Sequence, residues 1–228
     1  MATVFVTGGS GYMGRTLIRQ LLDRGHQVRA LVRPGSEHKL PNGCIRILGN
    51  ALDETSYQDH VAGCDVFVHL IGVAHPSPAK AAEFRNVDLV SIRAAVAAAA
   101  SAHVPHFVYV SVAHPAPVMK AYIAVRSQGE EMIRAAGLRA TILRPWYVLG
   151  PGHRWPVMLI PAYWLMGRLP QTRESARRLG LVSLKQMVAA LTEAVENPAE
   201  RIRIVEVPDI RDAARRQCLD SSSALSCR

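Results

Sequence analysis

Several features are scarce or missing in this 228-residue chain, and each absence narrows its function. The four cysteines, Cys44, Cys64, Cys218 and Cys227, form no Cys-x-x-Cys pair and show no metal-ligand spacing. That pattern argues against a disulfide scaffold or a zinc module and predicts free thiols in a reducing compartment, hence a cytoplasmic protein. The histidines show no His-Glu-x-x-His spacing, so no metal site is expected. No block of five or more basic residues occurs despite a formal net charge of +9, because the arginines are scattered along helical stretches. Nucleic acid is therefore not the expected partner, and a phosphate-rich ligand would use part of the positive field. The longest apolar stretch, Trp155 to Met166, carries two prolines and falls short of the ~20 residues a membrane span needs. The amino terminus lacks a basic region and runs directly into a strand, so no secretory leader is expected. No internal repeat is visible.

What is present is a strand that runs into glycines. Thr3 to Thr7 is a short apolar run, and Gly8, Gly11 and Gly14 follow at three-residue spacing. Leu17, Ile18, Leu21 and Leu22 then recur at helical spacing. A strand, a glycine turn and a helix N-terminus together make an anion site. Bare backbone N–H groups can approach a pyrophosphate there, and the helix dipole adds about half a positive charge. A second strand at 27–32 completes the context expected of a dinucleotide site.

Strands and helices alternate along the rest of the chain. Strands are predicted near 3–7, 27–32, 45–48, 65–71, 106–111 and 139–143, with a last one at 201–207. Helices are predicted near 14–24, 54–62, 80–102, 121–136 and 185–196. The strands read as unbroken apolar runs, as expected when both faces of a parallel sheet are covered. The fold class is α/β, with a doubly wound parallel sheet and a small C-terminal substrate lobe built mainly from 150–207. Residues 1–211 form one domain in this reading, and the polar, serine-rich stretch 212–228 is expected to be disordered. Ser183 and Gln186 read as a capping box opening the helix near 185–196. The apolar 155–166 segment has three open readings: a lid over a substrate pocket, a core helix, or a contact with a protein partner or membrane surface.

An acidic residue usually ends the second strand of an NAD site and binds the ribose hydroxyls; here Arg33 follows Val32 instead. A guanidinium can pair with a 2′-phosphate that a carboxylate would repel, and Ser36 adds a hydroxyl nearby. The expected cofactor is NADP(H) in preference to NAD(H).

Taken together the motifs resemble an atypical or extended short-chain dehydrogenase/reductase, the group that includes NmrA-like proteins, the NADPH-binding accessory subunit of respiratory complex I and NAD-dependent epimerase/dehydratases. The resemblance rests on Thr7-Gly8-x-x-Gly11-x-x-Gly14, Arg33, Gly49-Asn50-x-x-Asp53, Val68-His69-Leu70-Ile71-Gly72 and Asn86-Val87. Val108-Tyr109-Val110-Ser111, Tyr122-x-x-x-Arg126-x-x-x-Glu130 and Leu143-Arg144-Pro145-x-x-Val148-x-Gly150 complete it, over about residues 3–207. It implies a Rossmann fold in which Tyr12, Met13, Leu70, Ile71 and Gly72 line the cofactor. Asn50, where the family usually has aspartate, and Ala51 would meet the adenine, and Pro145 would shape the nicotinamide end.

The resemblance also implies a catalytic set: Tyr122 as general acid/base, Ser111 polarising a substrate carbonyl, and a lysine four residues after the tyrosine. That lysine is replaced by Arg126, which keeps the charge but carries a larger, planar head. Two functions follow. One is an oxidoreductase or epimerase/dehydratase acting on an unidentified small-molecule substrate. The other is a non-catalytic NADP(H)-binding sensor or accessory protein.

Overall fold

The computed structural model describes residues 1–116, 118–150 and 179–225, with side chains as far as residue 217. Seven parallel strands form one sheet in the order β3-β2-β1-β4-β5-β6-β9. They are β1 (Thr3–Thr7), β2 (Gln27–Val32), β3 (Ile45–Leu48), β4 (Val66–His69), β5 (His106–Val110), β6 (Ala140–Leu143) and β9 (Ile202–Val205). Val4 pairs with both Val28 and Val66. The chain therefore builds outward from β1 on one side, then crosses over to β4 on the other. Between β1 and β4 the winding direction reverses, and in this architecture ligands bind above the carboxyl ends of the strands at that point.

The period of two along the strands sorts the core into two layers. Val4 and Val6 of β1, Val66 and Val68 of β4, and Val108 of β5 face one side. There they meet Leu17, Ile18 and Leu21 of α1 (Tyr12–Asp23), Met187 and Leu191 of α5 (Leu184–Glu196), and Ile210 of α6 (Val207–Leu225). Phe5, Phe67 and Phe107 face the other side. Their rings follow one another across the strands, at 5.1 Å from Phe5 to Phe67 and 5.1 Å from Phe67 to Phe107. The alanine stretch of α3 (Val90–Ser101) packs over them through Ala95, Ala98 and Ala99, with Ile133 of α4 (Lys120–Ala135) beside it. Small side chains let α3 lie close to the sheet.

The structure departs from the sequence expectations in several places. The helix expected over 54–62 is two 3₁₀ turns, Glu54–Ser56 and Gln58–His60. Asp53 accepts from both the N–H and the hydroxyl of Thr55, and Ser56 Oγ bonds back to Asn50 O and Asp53 O. These local bonds hold the chain in turns where a helix would need the same groups. The long helix expected over 80–102 runs as α2 (Ala81–Glu83), a π-helical stretch Phe84–Leu89 and then α3, and the π stretch buries Phe84 and Asp88. The tail does not leave the fold at Asp212, because α6 continues to Leu225. Val207, Ile210 and Ala213 are buried, and Arg216 pairs with Glu193 of α5 at 2.9 Å.

Of the stretch expected to build a lobe, β9 joins the main sheet beside β6 and α5 packs in the core with α1. A two-stranded parallel pair, β7 (Tyr147–Leu149) with β8 (Leu181–Ser183), stands apart from that sheet. Ser183 and Gln186 form the expected capping box at the start of α5. The 155–166 segment lies outside the described residues. Among the described residues no helix is long and apolar enough to cross a membrane.

Candidate functional site

The crest between β1 and β4 is shaped by what its glycines allow. Gly8 holds φ at +78°, and a Cβ there would lie 2.9 Å from the Leu70 carbonyl carbon. At Gly14, in the first turn of α1, a Cβ would be driven into the backbone of Gly8 and Gly9. Gly11 is the N-cap of α1 and has no side chain to cap the first-turn N–H groups, which have no partner inside the helix. The turn thus brings β1 and α1 together and points bare donors across the crest.

Two adjoining cavities of about 330 Å³ and 310 Å³ share Gly8, Gly11, Leu70, Ile71 and Gly72, so they form one cleft over the ends of β1 and β4. The first half is walled by Leu31, Arg33, Gly49, Asn50, Ala51 and Val87, and no acidic residue lines it among the described residues. Arg33 is exposed. Asn50 shapes its own loop, since its Oδ1 accepts from Leu52 N at 3.1 Å and its N–H donates to Ser56 Oγ at 2.9 Å. Ser36 lines neither half; its N–H bonds the Arg33 carbonyl at 3.0 Å and its residue precedes a 3₁₀ turn, Glu37–Lys39.

The second half gathers Tyr12, Met13, Gly14, Ser111, Tyr122, Arg126 and Pro145, with Trp146, Tyr147 and Val148 beyond them. Tyr122 lies in the first turn of α4, its ring 4.9 Å from Phe84. The Arg126 guanidinium sits under that ring at 5.1 Å and over the Tyr109 ring at 5.8 Å. Its two terminal nitrogens reach protein acceptors: Nη1 donates to Val110 O at 3.0 Å, Nη2 to Ile71 O at 3.2 Å, and Nη2 pairs with Asp88 Oδ1 at 2.7 Å. Burial pushes the Tyr12 phenol above its ordinary pKa, helped by the neighbouring Tyr147 and Tyr122.

Ser111, at the end of β5, donates its hydroxyl to Glu130 Oε1 at 2.7 Å. That bond uses the one proton Ser111 has. Glu130 is buried and also accepts from Arg144 Nε at 2.9 Å, Arg144 Nη2 at 2.6 Å and Arg134 Nη2 at 3.2 Å. Burial alone would raise its pKa. The hydrogen bonds from Arg144 and Ser111 outweigh that and hold the carboxyl below its ordinary range.

A family model described as NAD(P)H-binding matches residues 8–154, more than half of the chain. The chain belongs to this NAD(P)H-binding family. Its curated relatives include reductases. One, a 4-hydroxy-2-methyl-3-oxo-4-farnesyl-3,4-dihydroquinoline-1-oxide ketoreductase of Stigmatella aurantiaca, is 32% identical over 64% of this chain and 50% of its own. Another, the ceramide reductase of Caulobacter vibrioides, is 28% identical over 91% of this chain and 65% of its own. The chain thus spans between half and two thirds of these relatives' length. Among solved structures, the Bordetella bronchiseptica enzyme WbmH in complex with NAD+ superposes with a TM-score of 0.68 at 20% identity. The match covers 90% of this chain and 75% of that one, and it shows the fold.

The residues of this NAD(P)H-binding chain fit a dinucleotide. The cradle at Gly8 and Gly14 is one that any Cβ would fill, and the cleft runs unbroken from Arg33 past the α1 N-terminus to Tyr122. Every site residue expected from the sequence except Ser36 lines this cleft. The sequence assigns no role to Asp88, Glu130, Trp146 or Tyr147. The four-residue spacing Tyr122-Arg126-Glu130 was visible and puts all three on one helix face. The Asp88–Arg126 pair, between residues 38 apart in the chain, left no comparable trace.

Proposed function

We propose that the cleft binds NADP(H) in preference to NAD(H), and that the chain is the cofactor-binding and proton-donating part of a reductase acting on an uncharged ketone. The single observation that carries this reading is the continuous cleft, with Arg33 and, among the described residues, no carboxylate in its first half, and Tyr122 in its second. Gly8, Gly11 and the first turn of α1 would hold the pyrophosphate, Asn50 and Ala51 the adenine end, and Arg33 a 2′-phosphate through charge-assisted hydrogen bonds. When bound, the reduced cofactor supplies a hydride for the carbonyl carbon. Tyr122 donates its phenolic proton to the carbonyl oxygen. Ser111 donates its one hydroxyl proton to Glu130 and so has none to offer the carbonyl.

The substrate class follows from the walls. Val73, Pro76, Val112, Trp146, Tyr147 and Val148 present aromatic and aliphatic surface. Among the described residues lining this half, the one Asp, Glu, Lys or Arg is Arg126, which is buried and paired with Asp88. A diphosphate-bearing substrate would need cations here, whereas an apolar ketone would not. The farnesyl-bearing quinoline oxide and ceramide in the relatives' names support the same reading. The test uses NADPH with 2-dodecanone as the probe. Tyr122→Phe is expected to lower kcat about 10²-fold, the low end for a general acid, with NADPH affinity unchanged. Turnover equal to the unsubstituted protein would remove Tyr122 from the mechanism.

A second reading has its own observation. The Arg126 fork is directed at Ile71, Val110 and Asp88, where a family lysine would hold the nicotinamide ribose. A non-catalytic NADP(H)-binding module is consistent with that, and steady NADPH oxidation dependent on a ketone excludes it. Cys44 and Cys64, both free thiols, suit a reducing compartment, and we place the protein in the cytoplasm. Cell fractionation that recovered it elsewhere would contradict this.

A further inference from the structure

We propose that Asp88 and Arg126 are a coupled pair of positioning residues that set the wall shared by both halves of the cofactor cleft. The inference rests on the cofactor reading above. The wall is Ile71-Gly72-Val73: Ile71 and Gly72 line both halves, and Val73 lines the second. The sheet stops supporting this stretch after Leu70, whose N–H still bonds Thr7 O at 3.1 Å. From there Arg126 and Asp88 take over. Arg126 Nη2 donates to Ile71 O at 3.2 Å, and Val73 N donates to Asp88 Oδ2 at 3.1 Å. Asp88 Oδ1 and Arg126 Nη2 close the ring at 2.7 Å. Arg126 Nη1 ties the assembly to the end of β5 through Val110 O at 3.0 Å.

Each part of this clamp constrains the others. Asp88 is 1% exposed and Arg126 4%, so neither charge has water as a substitute partner. Removing one partner of such a pair leaves a buried charge uncompensated. The guanidinium also lies where a Cβ on residue 72 would go, so the clamp in this position requires glycine at 72. Asp88 lines neither half of the cleft and acts on a bound cofactor only through Val73 and Arg126. Arg126 therefore takes up the positional part of the family lysine's work, from beneath the wall.

The test is NADPH binding to the full chain by cofactor fluorescence, well below the melting temperature, beside thermal unfolding. Asp88→Asn keeps an acceptor for Val73 N but removes the charge facing Arg126. The expected result is an NADPH Kd raised at least tenfold in the folded variant. Asp88→Asn combined with Arg126→Gln is expected to be no worse than the weaker-binding single variant, because the two act as a unit. A purely structural pair would lower Tm and leave the Kd of the folded protein within twofold of the original, and that result overturns the proposal. If Asp88→Asn does not fold, Arg126→Gln, which keeps a donor but removes the charge and the fork, decides by the same criterion. Failure of the unsubstituted protein to bind NADPH would overturn the cofactor reading and this proposal with it. Binding by the unsubstituted protein and equal binding by the variants would overturn this proposal alone.

Discussion

Replacing Gly14 by alanine tests the cradle where its geometry is least forgiving. The added methyl would lie 2.7 Å from Gly9 Cα and 3.0 Å from the Gly8 carbonyl carbon, and closer still to the Gly8 oxygen. Carbon atoms in contact normally stand about 3.5–4.0 Å apart, and these neighbours are backbone that cannot rotate away, so α1 must retreat by about 1 Å. A hydrogen bond of ordinary length stretched that far is essentially lost. Losing two charge-assisted bonds from the first turn of α1 to the pyrophosphate, at about 1.5 kcal/mol each, amounts to about 3 kcal/mol. The NADPH Kd is then expected to rise by about 100-fold or more. Overpacking costs stability as well, about 1–3 kcal/mol, or a Tm lowered by roughly 2–12 °C for a chain of this size. Gly25→Ala is the control. Gly25, unlike Gly14, has positive φ, at +80°, but has open space around it, so about 1 kcal/mol of backbone strain is expected with no change in Kd. Fluorescence titration and thermal unfolding of both variants give the comparison. A folded Gly14→Ala protein that binds NADPH within threefold of the original would refute the cradle argument.

Two further outcomes follow from the buried charges. Glu130→Gln leaves the solvent-accessible Arg134 and Arg144, which keeps Glu206 at 3.2 Å, without their shared buried carboxylate, so a loss of about 1–3 kcal/mol is expected, read as a Tm lower by roughly 2–12 °C. His69, bonded to Thr7 Oγ1 at 2.9 Å and Ser91 Oγ at 3.4 Å, is held neutral in the fold, because burial and then Arg126 bring its pKa from 6.5 down to about 3. His106 is lowered to about 4, by burial and then Arg203 and Arg139. The unfolded chain binds protons at both sites below pH 6.5 while the folded chain does not. Stability is therefore expected to fall as pH drops from 6.5 toward 4, by up to about 1.4 kcal/mol per pH unit for each histidine. Chemical denaturation across that range checks this, with His69→Asn removing about half of the slope. A pH-independent midpoint would contradict it.

The sheet was legible in the sequence because its strands are apolar on both faces and its helices carry their own periodicity. The glycine turn was legible because only glycine tolerates Gly8's left-handed backbone and Gly14's contact. Arg33 could be placed from its position after β2. What did not show was anything set by bonds between distant residues or by competition among local polar groups. Ser111 at the end of β5 reads as a carbonyl-polarising hydroxyl until Glu130 is seen to take its proton. Arg126 reads as a displaced lysine until Asp88, 38 residues earlier, is seen to hold it. Asp53 and Ser56 fold 54–60 into 3₁₀ turns through side-chain bonds that hydrophobic spacing does not register. At the other end, 212–228 reads as disorder because it is polar and serine-rich, whereas Val207 and Ile210, which anchor α6 in the core, lie upstream of it.

Parallel titration of the full chain with NADPH and NADH, repeated on Arg33→Ala, tests the central claim most directly. A guanidinium bonded to the 2′-phosphate is worth about 1.5–3 kcal/mol. NADPH is therefore expected to bind about 10- to 100-fold more tightly than NADH, and Arg33→Ala to bring NADPH to the affinity of NADH while leaving NADH unchanged. Equal affinities in the unsubstituted protein, or a preference for NADPH that survives Arg33→Ala, would contradict the account.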